Sequence, residues 1–539
     1  MSVTLPLVLV LAAHAADPAT PVTREALMAA FDAATATPAE PRRAPPCLTG
    51  LVKDLKAHWD LLTPADQERV AAFLAPWGSG DLILRGAARG DAPPAPPPAT
   101  YDEPCFGHQA ANYLVSDHFS VEWDDDADAD LAPLFSAALE YAFQREVIEL
   151  GWNRPEGTDQ YPMLAIISHN DRQASAYTSV ERCSNVGYVP YIVAYSGSWW
   201  SRSWADEMAA HEFNHTIQFS TSYAPEFWYW EATAIWMEEQ VYPAGNGWVD
   251  YVGAYNAHPD IGLTASSQRD YDIFYHMYGA AIFNFLLDNW FGGPDVVRQM
   301  WDDASHDWGQ YDLPVWENVP GIGLDWEEVY RTFLAANTVM DYTEQSAFPS
   351  ITLHQQISTL PADGSSSSSD EPQSLGANYI RFDESLAAGG DLHVMVQVEA
   401  GPEAWFAQLV SIEGGDVAEI VPIDVTSGEG EASIGFRGDD VYLVVSPWDE
   451  DAMGYHYNWD SAPSWSYTWQ AEVGSADTGD PGDSDTGYDR IDDVPERPDG
   501  DESRVITPPC SCASGRGAWS GALLTLLALT GTALRRRRG

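Results

Sequence analysis

Residues 204–218, Trp204-Ala-Asp-Glu-Met-Ala-Ala-His211-Glu212-Phe-Asn-His215-Thr-Ile-Gln218, and residues 226–241, Glu226-Phe-Trp-Tyr-Trp-Glu231-Ala-Thr-Ala-Ile-Trp-Met-Glu238-Glu239-Gln-Val241, decide how the chain is read. The first holds His-Glu-x-x-His. No Pro or Gly interrupts 203–219, and Met208, Ala209 and Phe213 can pack beside the histidines, which predicts a helix. Positions i and i+4 share a helical face, so His211 and His215 can reach one metal ion. Glu212, one residue round, is placed to take a proton from water activated by that metal without being a ligand.

A hydrolytic zinc site uses three protein ligands and keeps one position open. After Pro225 the second stretch predicts another helix, with Trp228, Glu231 and Ile235 on one face. A carboxylate in an apolar stripe is costly to bury unless it is paired or binds a metal, which makes Glu231 the third ligand. Glu238 and Glu239 read as solvent-facing, with Glu238 the reserve. Two plainer readings compete: an amphipathic helix with surface histidines, and a site that binds zinc without turnover.

His-Glu-x-x-His followed by Glu on the next helix resembles the gluzincin metalloproteases. The fuller pattern is similar to that of secreted metalloproteases of myxobacteria, across roughly 100–345. The resemblance implies an α+β zincin-like domain, His211, His215 and Glu231 as zinc ligands, Glu212 as base, and a protein or peptide substrate of unspecified sequence. It also implies that an edge strand before the metal helix holds the substrate, which would put 187–195 beside the cleft.

The chain has 539 residues and a formal charge of −55. Its only lysines are Lys53 and Lys56. Such an acidic balance argues against nucleic acid and anionic lipid as partners. Residues 1–15 read as a signal peptide, an apolar run ending in Ala13-His14-Ala15. The five cysteines fit export; Cys47, Cys105 and Cys183 allow one disulfide among them, with the pairing open, and Cys510 and Cys512 belong to the tail.

Residues 16–91 read as short helices (24–34, 51–62 and 67–74), either a latency-conferring propeptide or a plain subdomain, and 92–100 as a Pro-rich linker. The catalytic domain spans 101–345, with strands at 118–123, 161–168 and 187–195 and helices at 131–150, 270–288 and 325–336. Acidic 124–130 lacks the Gly and Glu of a calcium loop and reads as helix capping. For an oxyanion-stabilising group the candidates are His276, Tyr278 and Tyr275, each equally readable as core.

Six strand-like runs in 351–473 predict a β-sandwich, taken as a passive accessory domain, with Ser-rich 364–370 as a loop or tether. Residues 474–509 read as a disordered acidic stalk. Residues 510–539, Cys510-Ser-Cys512, an apolar run over 518–534 and Arg535–Arg538, resemble the sorting tail of myxobacterial surface proteins. That resemblance implies a transmembrane helix at 518–534, a processing protease as partner, and a product at the cell surface or released; a permanent anchor is the simpler fate. The expectation is a surface-displayed zinc endopeptidase. Its rival is an adhesin on an inactive zincin-like fold.

Overall fold

Strands rich in Ile, Val, Ala and Tyr build the centre of the 101–345 region. The computed structural model describes residues 22–35, 47–74, 103–169, 175–183, 186–198, 201–266, 271–305, 313–453 and 459–473. The segments read as signal peptide (1–15), Pro-rich linker (92–100), stalk (474–509) and sorting tail with transmembrane helix (510–539) lie outside them. Among the described residues no helix is long and apolar enough to cross a membrane.

The first sheet contains β1 (Asn112–Val115), β2 (Phe119–Trp123), β3 (Met163–Ser168), β4 (Ala176–Cys183) and β5 (Gly187–Tyr195), in the order β1-β2-β3-β5-β4. β5 runs parallel to β3 and antiparallel to β4. The 187–195 segment is therefore interior, and the edge strands of the sheet are β1 and β4. This corrects the expectation that 187–195 borders the cleft. β4 carries polar Thr178, Ser179 and Glu181 among its apolar residues, which hides it from hydropathy alone. A Cys105–Cys183 disulfide ties its end to the start of the domain, and Cys47 is free and buried.

Side chains alternate across the sheet. Ala165, Ile167, Ile192 and Ala194 face α4 (Ala132–Phe143) and α5 (Arg202–Thr221). Leu164, Ile166, Tyr177, Tyr191, Val193 and Tyr195 face α1 (Arg24–Thr35), α2 (Thr49–Ala57) and α3 (Pro64–Leu74). The N-terminal helices thus cover the second face of the sheet. Leu51, Val52 and Leu55 of α2 are fully buried there, each contributing about 1.5–3 kcal/mol before the entropy of ordering is subtracted.

The predicted 131–150 helix is α4 followed by a π-helical turn over Gln144–Glu149. That turn directs Glu146 inward, where its carboxylate accepts from Asn214 Nδ2 at 3.0 Å. Helices α6 (Phe227–Val241), α7 (Trp248–Ala257), α8 (Tyr271–Gly279), α9 (Ile282–Trp290), α10 (Pro294–Ala304), α11 (Val315–Gly321) and α12 (Trp326–Ala336) complete the region. The expected 270–288 helix is broken into α8 and α9. Gly279 lies so close to α7 that a Cβ there would stand 2.1 Å from the Tyr251 carbonyl oxygen.

The sandwich pairs a sheet ordered β11-β10-β13-β8-β6 with one ordered β12-β9-β14-β7. Its strands are β6 (Gln355–Ile357), β7 (Ala362–Ser365), β8 (Asn378–Phe382), β9 (Leu392–Val398), β10 (Ala404–Glu413), β11 (Asp416–Ile423), β12 (Glu429–Ile434), β13 (Val441–Trp448) and β14 (Tyr467–Val473). The Ser-rich stretch begins within edge strand β7 rather than as a free tether. Helix α12 lies on the sandwich: Tyr330 Oη meets Ser446 Oγ at 2.9 Å, and Gln408 Nε2 donates to the Arg331 carbonyl at 3.0 Å.

Gly279→Ala should lower stability by about 1–3 kcal/mol, because the clash is with backbone that cannot rotate away. A thermal unfolding midpoint equal to wild type would contradict that packing.

Candidate metal centre

Helix α5 begins at Ser201, whose Oγ accepts from Trp204 N at 3.1 Å, and continues unbroken through His215 to Thr221. This places both imidazoles on the side facing α6. The Nε2 atoms of His211 and His215 are 3.1 Å apart, and Glu231 Oε2 lies 3.2 Å from the first and 3.4 Å from the second. Metal bonds of about 2.0–2.1 Å at tetrahedral angles put nitrogen and oxygen ligands about 3.3 Å apart. The three atoms therefore have the spacing of three corners around one ion. Cys47 Sγ joins them 3.6 Å from His215 Nε2, and all four ligand atoms lie within 4.8 Å of one another.

These groups are buried. Burial opposes charge on both partners, yet Glu231 and Glu238 raise His211 to about 10, while His215 and His211 hold Glu231 down to about 2. The Cys47 thiol is pushed well up by burial and by the nearby carboxylates of Glu212 and Glu231. A cation held there would replace the proton on His211 and favour the ionised forms of the carboxylate and thiol.

A second ring of contacts orients the imidazoles. His211 Nδ1 lies 2.8 Å from Glu238 Oε1, and His215 Nδ1 lies 2.7 Å from Gln218 Oε1. Each Nδ1 donates, leaving the Nε2 lone pair for a metal. Gln218 is fixed in turn, donating to Asn214 Oδ1 at 2.9 Å and to the Trp230 carbonyl at 3.1 Å. Glu238 is thus buried and structural to the site, which corrects its assignment to solvent. The signal was present: Glu238 follows Glu231 by seven residues, two helical turns along the same face. Glu239 also turns inward, accepting from Trp248 Nε1 at 2.6 Å.

Glu212 is fully buried, and its Oε2 accepts from Thr178 Oγ1 at 2.7 Å and from Thr49 Oγ1 at 3.2 Å. Its Oε1 has no partner, an unsatisfied carboxylate oxygen beside the cluster. Tyr278 belongs to the site: its ring stacks on His211 at 6.1 Å and its hydroxyl donates to the Cys47 carbonyl at 3.2 Å. His276 does not join it. It is fully buried against Tyr255 at 4.7 Å, and burial lowers it to about 3. Tyr275 packs on Tyr251 at 5.4 Å. The sequence offered no way to place Cys47 or Thr49 here, since more than 150 residues separate them from α5.

No protein-family model matches the chain, and no curated protein matches it. Among solved structures it is similar to the pre-peptidase C-terminal domain of a collagenase from Bacillus anthracis, at 13% identity and a TM-score of 0.16 over 23% of this chain and 100% of that one. It is also similar to a periplasmic inhibitor of g-type lysozyme from Aeromonas hydrophila, at 10% identity and a TM-score of 0.15 over 23% of this chain and 98% of that one. Likeness at this level says nothing about the metal centre.

Glu238→Ala should weaken metal binding about 10–100-fold, as loss of an orienting carboxylate does at histidine sites. Competition with a chromophoric chelator measures this, and unchanged affinity would remove Glu238 from the site.

Proposed function

We propose that the chain is a zinc-dependent endopeptidase, exported by residues 1–15 and displayed through residues 510–539. The observation that carries the catalytic part is the convergence of His211, His215 and Glu231 on one tetrahedral set beside an unsatisfied Glu212 oxygen. Two imidazoles and a carboxylate suit zinc, which would supply Lewis acidity, acidifying water and polarising a carbonyl. The chain's own residues do the rest. Glu212 receives the proton of the attacking water on its carboxylate and returns it to the leaving amine. Glu238 and Gln218 hold the ligand imidazoles in orientation. Tyr278 is the donor placed for a substrate carbonyl, since its hydroxyl already holds one peptide carbonyl, that of Cys47. Export and display rest on the sequence alone.

Because Thr49 binds Glu212, hydrolysis is best followed after mild proteolysis of the zinc-loaded full chain, with an unfolded protein as substrate and new amino termini as readout. Glu212→Gln should keep about one zinc and lose hydrolysis by about 10²–10⁴-fold, whereas His215→Ala should lose both. A Glu212→Gln chain that cleaves like wild type would overturn the mechanism, and a zinc-loaded wild type that never cleaves would overturn the peptidase reading.

Tyr278→Phe should retain zinc and lower kcat by about 10²–10³-fold with little change in KM. An unchanged kcat would return Tyr278 to the core.

A further inference from the structure

The metal cluster has four candidate ligands where a hydrolytic site uses three. The fourth, Cys47, comes from the N-terminal region, 164 residues before His211. One of its distances to the other candidate ligands has the length a tetrahedral ion would impose, within a set whose atoms all lie inside 4.8 Å of one another. Zinc–sulfur bonds of about 2.3 Å and zinc–nitrogen bonds of about 2.0–2.1 Å at the tetrahedral angle separate S from N by about 3.6 Å. Cys47 Sγ is 3.6 Å from His215 Nε2.

The residues around Cys47 occupy what a substrate needs. Leu48 N donates to the Ala176 carbonyl at 3.0 Å and Thr49 Oγ1 accepts from Thr178 N at 2.8 Å, so this segment runs against the open edge of β4. Thr49 also takes one oxygen of Glu212, and the Cys47 carbonyl takes the Tyr278 hydroxyl. Three requirements of peptide hydrolysis are met by the protein itself, an open metal position, a carbonyl donor and an exposed strand edge, while one of the two Glu212 oxygens is engaged. Helix α2 anchors the segment, with Lys56 Nζ donating to Ser179 Oγ and the Val180 carbonyl on β4, and Lys53 over the Trp230 ring at 4.3 Å.

We propose that Cys47 is the fourth metal ligand and that residues 47–57 are a built-in latch, holding the chain in a closed, inactive state until the segment is displaced. This rests on the metal-site reading above. With a metal held by His211, His215 and Glu231, closure would exchange one ligand for another: the thiol would give its proton to solvent and its sulfur would take the place of a water on the metal. Displacement would reverse each change, release the Thr49 contact to Glu212 and the Tyr278 hydroxyl, and uncover β4 for an extended peptide.

The test uses the full chain with Cys510 and Cys512 replaced by serine, folded with its disulfide intact, so that Cys47 is the one free thiol. Loaded with cobalt(II) in place of zinc, it should show an intense thiolate-to-metal charge-transfer band in the near ultraviolet. Cys47→Ser should abolish that band while about one cobalt per chain remains on His211, His215 and Glu231. Cobalt bound without the band would overturn the ligation, and this result needs no Cys47 variant to fold. No bound cobalt would overturn both the ligation and the metal site, a distinguishable failure. For latency, Cys47→Ala loaded with zinc should hydrolyse the unfolded substrate at least about 10-fold faster than the parent without prior proteolysis. Equal hydrolysis by both would overturn the latch. If neither cleaves, the peptidase reading fails while the cobalt spectrum still decides the ligation.

Discussion

Three candidate ligand atoms held just over 3 Å apart in a buried interior are the constraint around which this molecule is arranged. Two imidazole nitrogens and a carboxylate oxygen at that spacing repel in the absence of a proton or cation, and burial removes the water that would relieve them. The fold can hold them because α5 and α6 are fixed on all sides. The sheet backs α5, α4 and its π-turn bring Glu146 to Asn214, and Gln218 bridges α5 to the Trp230 carbonyl. Misplacing either helix by an ångström would cost the tetrahedral set.

Much of this was legible in residue spacing. The i, i+4 histidines, the Glu between them and the Glu of the next helix are local patterns, and helical geometry turns them directly into a face. What spacing did not carry is anything settled by contact across the chain. Glu238 read as solvent-facing because acidic residues usually are, although its seven-residue offset from Glu231 put it on the ligand side. β4 was missed because its alternation is broken by Thr178 and Ser179, whose hydroxyls serve Glu212 and Lys56. Cys47 had no local signal at all. His276 and Tyr278 show the same limit from the other side: two positions apart on one helix, one lies in the core and the other on His211.

The sandwich was readable in outline, six strands from alternation and turns, while short β6 and β7 and the hairpin partner β11 were not. That hairpin turns on Gly414 and Gly415, both at positive φ (67° and 94°), a two-residue turn that side-chain-bearing residues rarely adopt. Its attachment to α12 through Tyr330, Arg331 and Gln408 makes the sandwich a buttress for the helical region.

Lys53 and Lys56, the only lysines in the chain, both sit on α2. Every ε-amine of the protein therefore lies on one short helix. In the closed structure they differ: Lys53 is half-buried, whereas Lys56 is sealed, and burial lowers its ammonium to about 8. Of the ε-amines, an acylating reagent thus meets one when the helix is docked and two when it is not. The mass of the labelled protein would count the two populations without any substrate, and a lysine-specific protease would find its only bonds in α2.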